Sequence, residues 1–324
     1  MVGFHFLNVR RSIQGLPRRQ GAVCSFFQET ALFAISTPGV LPSFGPLTGR
    51  NALLLAAALG ITACGTTYQV ARPGEGHVTA ARAMFAEEQS HQTSAPAMSD
   101  TAALSRHQRV LARVKPVAER FCREETVERK GFDCDVQLVV DGAARQRNAF
   151  QHYEDGKPTV TFTLPLIRDA RNEDEIAFVL GHEFGHHIGQ HIEKRRQQML
   201  AGTVIMGVLT AAAQVNASNA NPYRSRADDL QQMQANMALG GAVGGMAYSQ
   251  TYELEADAIG TVIAERAGYD PVKGARFFAR PEAAKTTDGE LSFWGTHPPD
   301  EKRLSTVIAT VEQVARTGGL KRRD

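Results

Sequence analysis

Apolar residues along this chain recur mostly at helical spacing, with two short stretches that alternate instead. Ser99 or Asp100 is suited to cap a helix, and Leu104, Leu111, Val114, Val117 and Phe121 follow near the helical period as far as Cys122. Pro116 is expected to kink or divide that helix. Asp135–Val140 reads as a strand, and Thr159–Leu164 as a stronger one, with Val160, Phe162 and Leu164 on one face. Asp155-Gly156 before it is turn chemistry, with Phe150–Tyr153 as the hairpin partner. Asn172 reads as an N-cap with Glu175 three residues on, opening a helix that runs to about Arg196. Ala201–Ala213 is apolar but shorter than the roughly 20 residues a membrane span needs. Asn216–Asp229 reads as a loop, and Gly240 and Gly244 as a site of close helix packing. Thr251–Ala267 reads as a helix closed by Gly268, with Pro271 just beyond. The pattern predicts a mostly helical α+β fold with a small sheet.

The N-terminal region follows a different pattern. Arg50 precedes an apolar run from Ala52 to Ala63, and Cys64-Gly65 follows. A positive residue, a short apolar core and small residues before a cut make a secretory signal. With a cysteine at the cut, Ile61-Thr62-Ala63-Cys64 resembles a bacterial lipoprotein signal, in which Cys64 takes the lipid. The expected organisation is a leader and signal over 1–63, a flexible tether over 64–98 with one short helix near Ala80–Gln89, and a catalytic domain over 99–324. Of the cysteines, Cys24 lies in the leader, leaving Cys122 and Cys134 as either a disulfide or two buried thiols. The formal charge is +2, from 36 Lys and Arg against 34 Asp and Glu. Five of those basic residues and one acid precede Cys64, so the rest is slightly acidic. No long basic run or zinc-finger spacing points to nucleic acid.

The chemistry concentrates at His182-Glu-Phe-Gly-His186. Residues four apart share a helix face, so His182 and His186 can offer two imidazole nitrogens to one metal. Glu183 is then placed to deprotonate a water, the pattern of a zinc-dependent peptidase. A third ligand must come from elsewhere, and Glu253-Leu-Glu-Ala-Asp257 offers it. Glu253 and Asp257 share a face, one able to bind metal and the other to steady a ligating histidine, while Glu255 points away. His187 and His191 lie at other angles on the helix and read as structural or exposed. The twelve-residue separation of Cys122 and Cys134 fits no usual zinc knuckle.

HExxH followed by ExxxD resembles the HtpX/CAAX-protease type of zinc metallopeptidase, metallopeptidase family 48 in the gluzincin group. Asn148-Ala-Phe150, Asn172-Glu-Asp-Glu175, Gly268-Tyr-Asp-Pro271, Thr296-His-Pro298 and Arg303 support the resemblance. It implies a zincin-like catalytic domain binding one zinc ion through His182, His186 and Glu253, with Glu183 as base. Asp257 would support a ligating histidine, His297 would either plug the water position or take part in catalysis, and Arg303 would stabilise a developing oxyanion. The likeness to periplasmic lipoprotein members implies cleavage of unfolded or misassembled envelope proteins, and contact with outer-membrane assembly machinery. Such a protein would face the periplasm, its lipid anchor in the outer rather than the inner membrane. Two rivals remain: a chaperone or assembly factor with a structural or latent zinc site, and a hydrolase of cell-wall cross-links. The substrate is expected to lie along an edge strand near 159–164.

Overall fold

A computed structural model describes residues 65–90, 98–221, 223, 225–246, 249–280, 283, 285, 287, 289 and 291–323. The leader and Cys64 lie outside the described residues, so the signal and lipid-anchor readings have no counterpart in it.

The elements in chain order are α1 (Glu75–Ser90), α2 (Asp100–Glu125), β1 (Gln137–Asp141), β2 (Ala149–Glu154), β3 (Lys157–Thr163) and α3 (Leu164–Asp169). Then come α4 (Glu173–Ile188), α5 (His191–Ala220), α6 (Arg226–Met246), α7 (Ser249–Arg266) and α8 (Pro271–Ala275). A 3₁₀ turn (Arg276–Ala279), α9 (Phe293–Thr296) and α10 (Glu301–Thr317) complete the fold. It is mostly helical with one small mixed sheet, as the periodicities imply.

The sheet order is β1-β3-β2, with β1 parallel and β2 antiparallel to β3. The strand expected to serve as an edge is therefore the central one, and that expectation is corrected. Pro158 to Thr163 are all buried, including Thr159, Thr161 and Thr163 on the face opposite Val160 and Phe162. Helices cover the strand where its own alternation would have allowed solvent. β2 holds an outer edge instead, and the Gln151 N–H on that edge donates to Glu183 rather than to β3.

Four local expectations also change. α2 runs unbroken through Pro116, because Pro116 and Ala112 are both exposed and water can serve the carbonyl that proline leaves unpaired. The helix expected to reach Arg196 stops at Ile188, since Gln190 takes a left-handed conformation (φ 54°) and α5 starts afresh at His191. The apolar Ala201–Ala213 stretch lies inside the 30-residue α5, which is long and apolar enough to cross a membrane by length and composition. The expected 216–229 loop shrinks because α5 and α6 pack as a hairpin, with Asn236 Nδ2 donating to Thr210 Oγ1 (3.0 Å).

Within the stretch read as a tether, residues 65–90 pack onto the domain, and α1 covers the short helix expected near Ala80–Gln89. Tyr68 is fully buried and bridges to Arg322, while Gln69 N–H donates to the Lys321 carbonyl (2.8 Å) and Arg323 N–H to the Thr67 carbonyl (2.9 Å). α1 packs against α10, and its Glu88 binds Arg171 and Arg276. These contacts join distant parts of the chain, so local composition does not reveal them. Cys122 and Cys134 are bonded and pin the end of α2 to the approach to β1.

α4 is built for the site. Asn172 caps it by accepting the Glu175 N–H (3.0 Å), and Glu173, Asp174 and Glu175 occupy the positive end of its dipole. Glu175 does not complete a reciprocal box; its carboxylate takes the Arg171 N–H (2.7 Å) and Arg280. Helix α7 crosses α4 where neither helix has side chains to keep it off. A Cβ on Gly181 would sit 2.9 Å from the Gly260 carbonyl oxygen, and one on Gly185 2.7 Å from that of Ala256. A Cβ on Gly260 would meet the His182 backbone nitrogen at 2.8 Å. Gly260→Val should therefore force the helices apart and cost about 1–3 kcal/mol or more. Thermal unfolding checks this beside Gly142→Ala, where the added methyl meets nothing within 4 Å. Equal melting temperatures would refute the close-packing argument.

Candidate metal centre

The crossing of α4 and α7 brings the two sequence motifs together. His182 Nε2 and His186 Nε2 lie 3.0 Å apart, and each is 3.4 Å from a Glu253 carboxylate oxygen. His297, at the C-terminus of α9, joins them: its Nδ1 is 2.8 Å from Glu253 Oε2 and 3.2 Å from His182 Nε2. One ligand atom from each of these four residues falls within 4.8 Å of the others.

Charges around the cluster are tightly paired. Asp257 is completely buried and holds His182 Nδ1 at 2.9 Å. Arg303 donates to both Asp257 oxygens, Nε to Oδ2 at 2.8 Å and Nη2 to Oδ1 at 2.7 Å. Its Nη1 is 3.4 Å from Glu253 Oε2, and its guanidinium lies 3.7 Å over the Phe278 ring. Its donors hold the two carboxylates, so it acts as a buried counter-charge that orients Asp257.

Ionisation follows this pairing. Burial opposes charge on Asp257, but Arg303 and His182 outweigh it and lower its pKa. Glu253 is likewise held well below the carboxylate range, burial being overcome by His297, His186 and Arg303. Burial pulls the His182 imidazole down, yet hydrogen bonds to Asp257 and Glu253 overcome it and raise its pKa to about 9. For His186, burial prevails and lowers the pKa well below the ordinary histidine value.

Glu183 is almost fully buried beside the cluster. Its Oε2 accepts the Gln151 N–H from β2 (2.8 Å), while its Oε1 has no hydrogen-bond partner and lies 3.5 Å from His297 Nε2. An unpartnered buried carboxylate oxygen is costly unless a ligand or solvent serves it. Three imidazoles, one carboxylate and this free oxygen are a donor set that fits zinc.

A profile of peptidase family M48 matches residues 106–311. The chain belongs to this family. Peptidases of family M48 are zinc-dependent. The beta-barrel assembly-enhancing protease of Yersinia pestis is 31% identical over 149 residues, 43% of this chain and 28% of that protein. The mitochondrial metalloendopeptidase OMA1 of Schizosaccharomyces pombe is 29% identical over 143 residues, 44% of this chain and 38% of that one. The matched region thus spans about a third of the length of these curated relatives. No solved structure matches significantly.

The structure gathers His182, Glu183, His186, Glu253, Asp257, His297 and Arg303 in one place. Sequence reasoning missed Glu255 and His191. Glu255 does face away from the cluster, but it is completely buried and bonds to His191 Nε2 (2.9 Å). His191 is also buried; it stacks on Tyr252 and meets His186 Nδ1 at 3.0 Å. His187 is buried too, with Nε2 2.7 Å from the Asp133 carbonyl oxygen. The turn at Gln190, which rotates His191 back toward His186, left no signal in the sequence. Loss of a ligating side chain should be visible directly: Glu253→Ala should carry at most about a tenth of the zinc of wild type after dialysis, read by atomic absorption. Equal metal content would remove Glu253 from the ligand set.

Proposed function

We propose that this chain is a zinc-dependent endopeptidase acting on unfolded or misassembled proteins of the bacterial envelope. The observation that carries the reading is the free Oε1 of Glu183, buried against a cluster of three imidazoles and a carboxylate. His182, His186 and Glu253 would hold the zinc. When bound, zinc supplies a Lewis acid that acidifies water and attracts a developing oxyanion.

The chain's own groups account for the remaining steps. Gln151 fixes one Glu183 oxygen, leaving the other to take a proton from water and pass it to the leaving amine. Asp257, itself gripped by Arg303, holds the His182 ring. The outer edge of β2 runs past Glu183, so a substrate segment added as a further strand would bring its peptide bonds to that carboxylate. Such pairing reads backbone, which suits extended, unfolded substrates. The names of the two relatives, a protease and a metalloendopeptidase, support the same reaction. The lipoprotein-like sequence at Cys64 and the Yersinia relative's name together favour the periplasmic side of the outer membrane.

Glu183→Gln should retain zinc and the fold while casein hydrolysis falls by about 10³-fold or more. Residual activity within tenfold of wild type would eliminate Glu183 as the base.

A second reading is favoured by one contact. His297 Nδ1 lies against both Glu253 and His182, so it would complete a four-donor set of the closed kind found in structural zinc sites. The chain would then be latent, or would hold clients without cutting them. His297→Ala separates the cases: basal proteolysis rises severalfold if His297 is a plug, and falls with zinc retained if it serves catalysis.

A further inference from the structure

His182 and His186 both turn Nε2 toward the cluster, yet only His182 touches a carboxylate with its other nitrogen. The opposite side of His186 is occupied by a chain of buried groups with no part in the mechanism above. His186 Nδ1 lies 3.0 Å from His191 Nδ1, and His191 Nε2 lies 2.9 Å from Glu255 Oε2. Glu255 Oε1 accepts the backbone N–H of Tyr68 at 2.6 Å. His191 is 4% exposed and Glu255 not at all, so solvent cannot substitute for any of these partners.

The order of protons along the chain follows from the ends. A carboxylate only accepts hydrogen bonds, so His191 must present N–H at Nε2. His191 Nδ1 then carries a lone pair and can only accept. His186 must therefore donate from Nδ1, which leaves its Nε2 lone pair directed at the cluster. Asp257 imposes the same arrangement on His182 in one step instead of two. Two lone pairs 3.0 Å apart repel each other unless a proton on His182 or a metal ion lies between them, and the metal takes the proton's place.

We propose that His191 and Glu255 are positioning residues that fix the tautomer and ring orientation of His186 for metal binding. The proposal rests on the zinc reading of the cluster. Tyr68 steadies the far end of the relay, and its own place is set by pairing with Arg322 and by its hydroxyl donating to Glu125 (2.8 Å). The segment that opens the described domain thus supports a metal ligand whose sequence position is more than a hundred residues away.

Glu255→Gln is a near-isosteric probe. A glutamine has one acceptor oxygen and one amide NH₂, so it cannot accept from both Tyr68 and His191. Presenting NH₂ to His191 would reverse both tautomers and place N–H on the metal side of His186. His191→Phe keeps an aromatic ring where His191 stacks on Tyr252 and removes both nitrogens. The full chain and these variants, single and combined, would be titrated with zinc against a chromophoric chelator. Melting of the metal-free proteins would be recorded in parallel. Each single variant should bind zinc about 10–100-fold more weakly. The double variant should match His191→Phe, because Glu255 acts only through His191. Zinc affinity within twofold of wild type, with only the metal-free melting temperature lowered, would reduce both residues to packing and overturn the proposal. Additive losses would break the chain of action and overturn it as well. A wild-type chain that takes up no zinc would remove the metal reading itself, whereas tight binding by wild type and variants alike removes only the relay.

Discussion

The approach of two helix backbones at Gly181, Gly185 and Gly260 is the constraint on which the site depends. Neither motif makes the cluster alone: α4 brings the imidazoles of His182 and His186 and the carboxylate of Glu183, and α7 brings those of Glu253 and Asp257. The donors on these two helices come together because glycines at 181, 185 and 260 let the backbones approach closely. The packing also explains why the ligating face of α7 is completely buried at Asp257.

Bringing so many ionisable groups into one buried place is costly unless their charges are matched. A buried arginine supplies much of that match. Arg303, from α10, spans both Asp257 oxygens and approaches Glu253. Its planar fork suits that task, and the Phe278 ring lies over its face. The imidazole nitrogens that face one another across the cluster cannot all be donors. A divalent ion would serve these nitrogens and the Glu253 carboxylate together, which is the physical reason for reading the centre as a metal site.

The polypeptide around the centre supplies rigidity from unexpected places. A disulfide fastens α2 to the start of the sheet, and the chain segments near residues 68 and 322 pair beside Glu255. The β2 edge meets the centre through one backbone N–H, so the strand that would receive an extended peptide also orients Glu183. In the proposed mechanism, substrate placement and proton transfer would be coupled through Gln151.

Much of this was legible in the sequence where the determining forces are local. The N-cap at Asn172, the spacing of His182 and His186, and that of Glu253 and Asp257 follow from the helical period, which needs no knowledge of distant residues. The resemblance carried by these motifs then implied their convergence. Other features depend on contacts that sequence periodicity does not encode. Which strand is central, the ordering of residues 65–90, the length of α5, the pairing of Arg303 with Asp257 and the turn of His191 onto His186 were all decided by packing. Burial has different effects on the same residue type: it made Glu255 a partner of His191 although its angle on the helix points away from the ligands. The sequence by itself determined which side chains share a helix face, because that is fixed by backbone geometry over a few residues. Tertiary structure alone decided which faces meet, because that depends on the free energy of packing the whole chain.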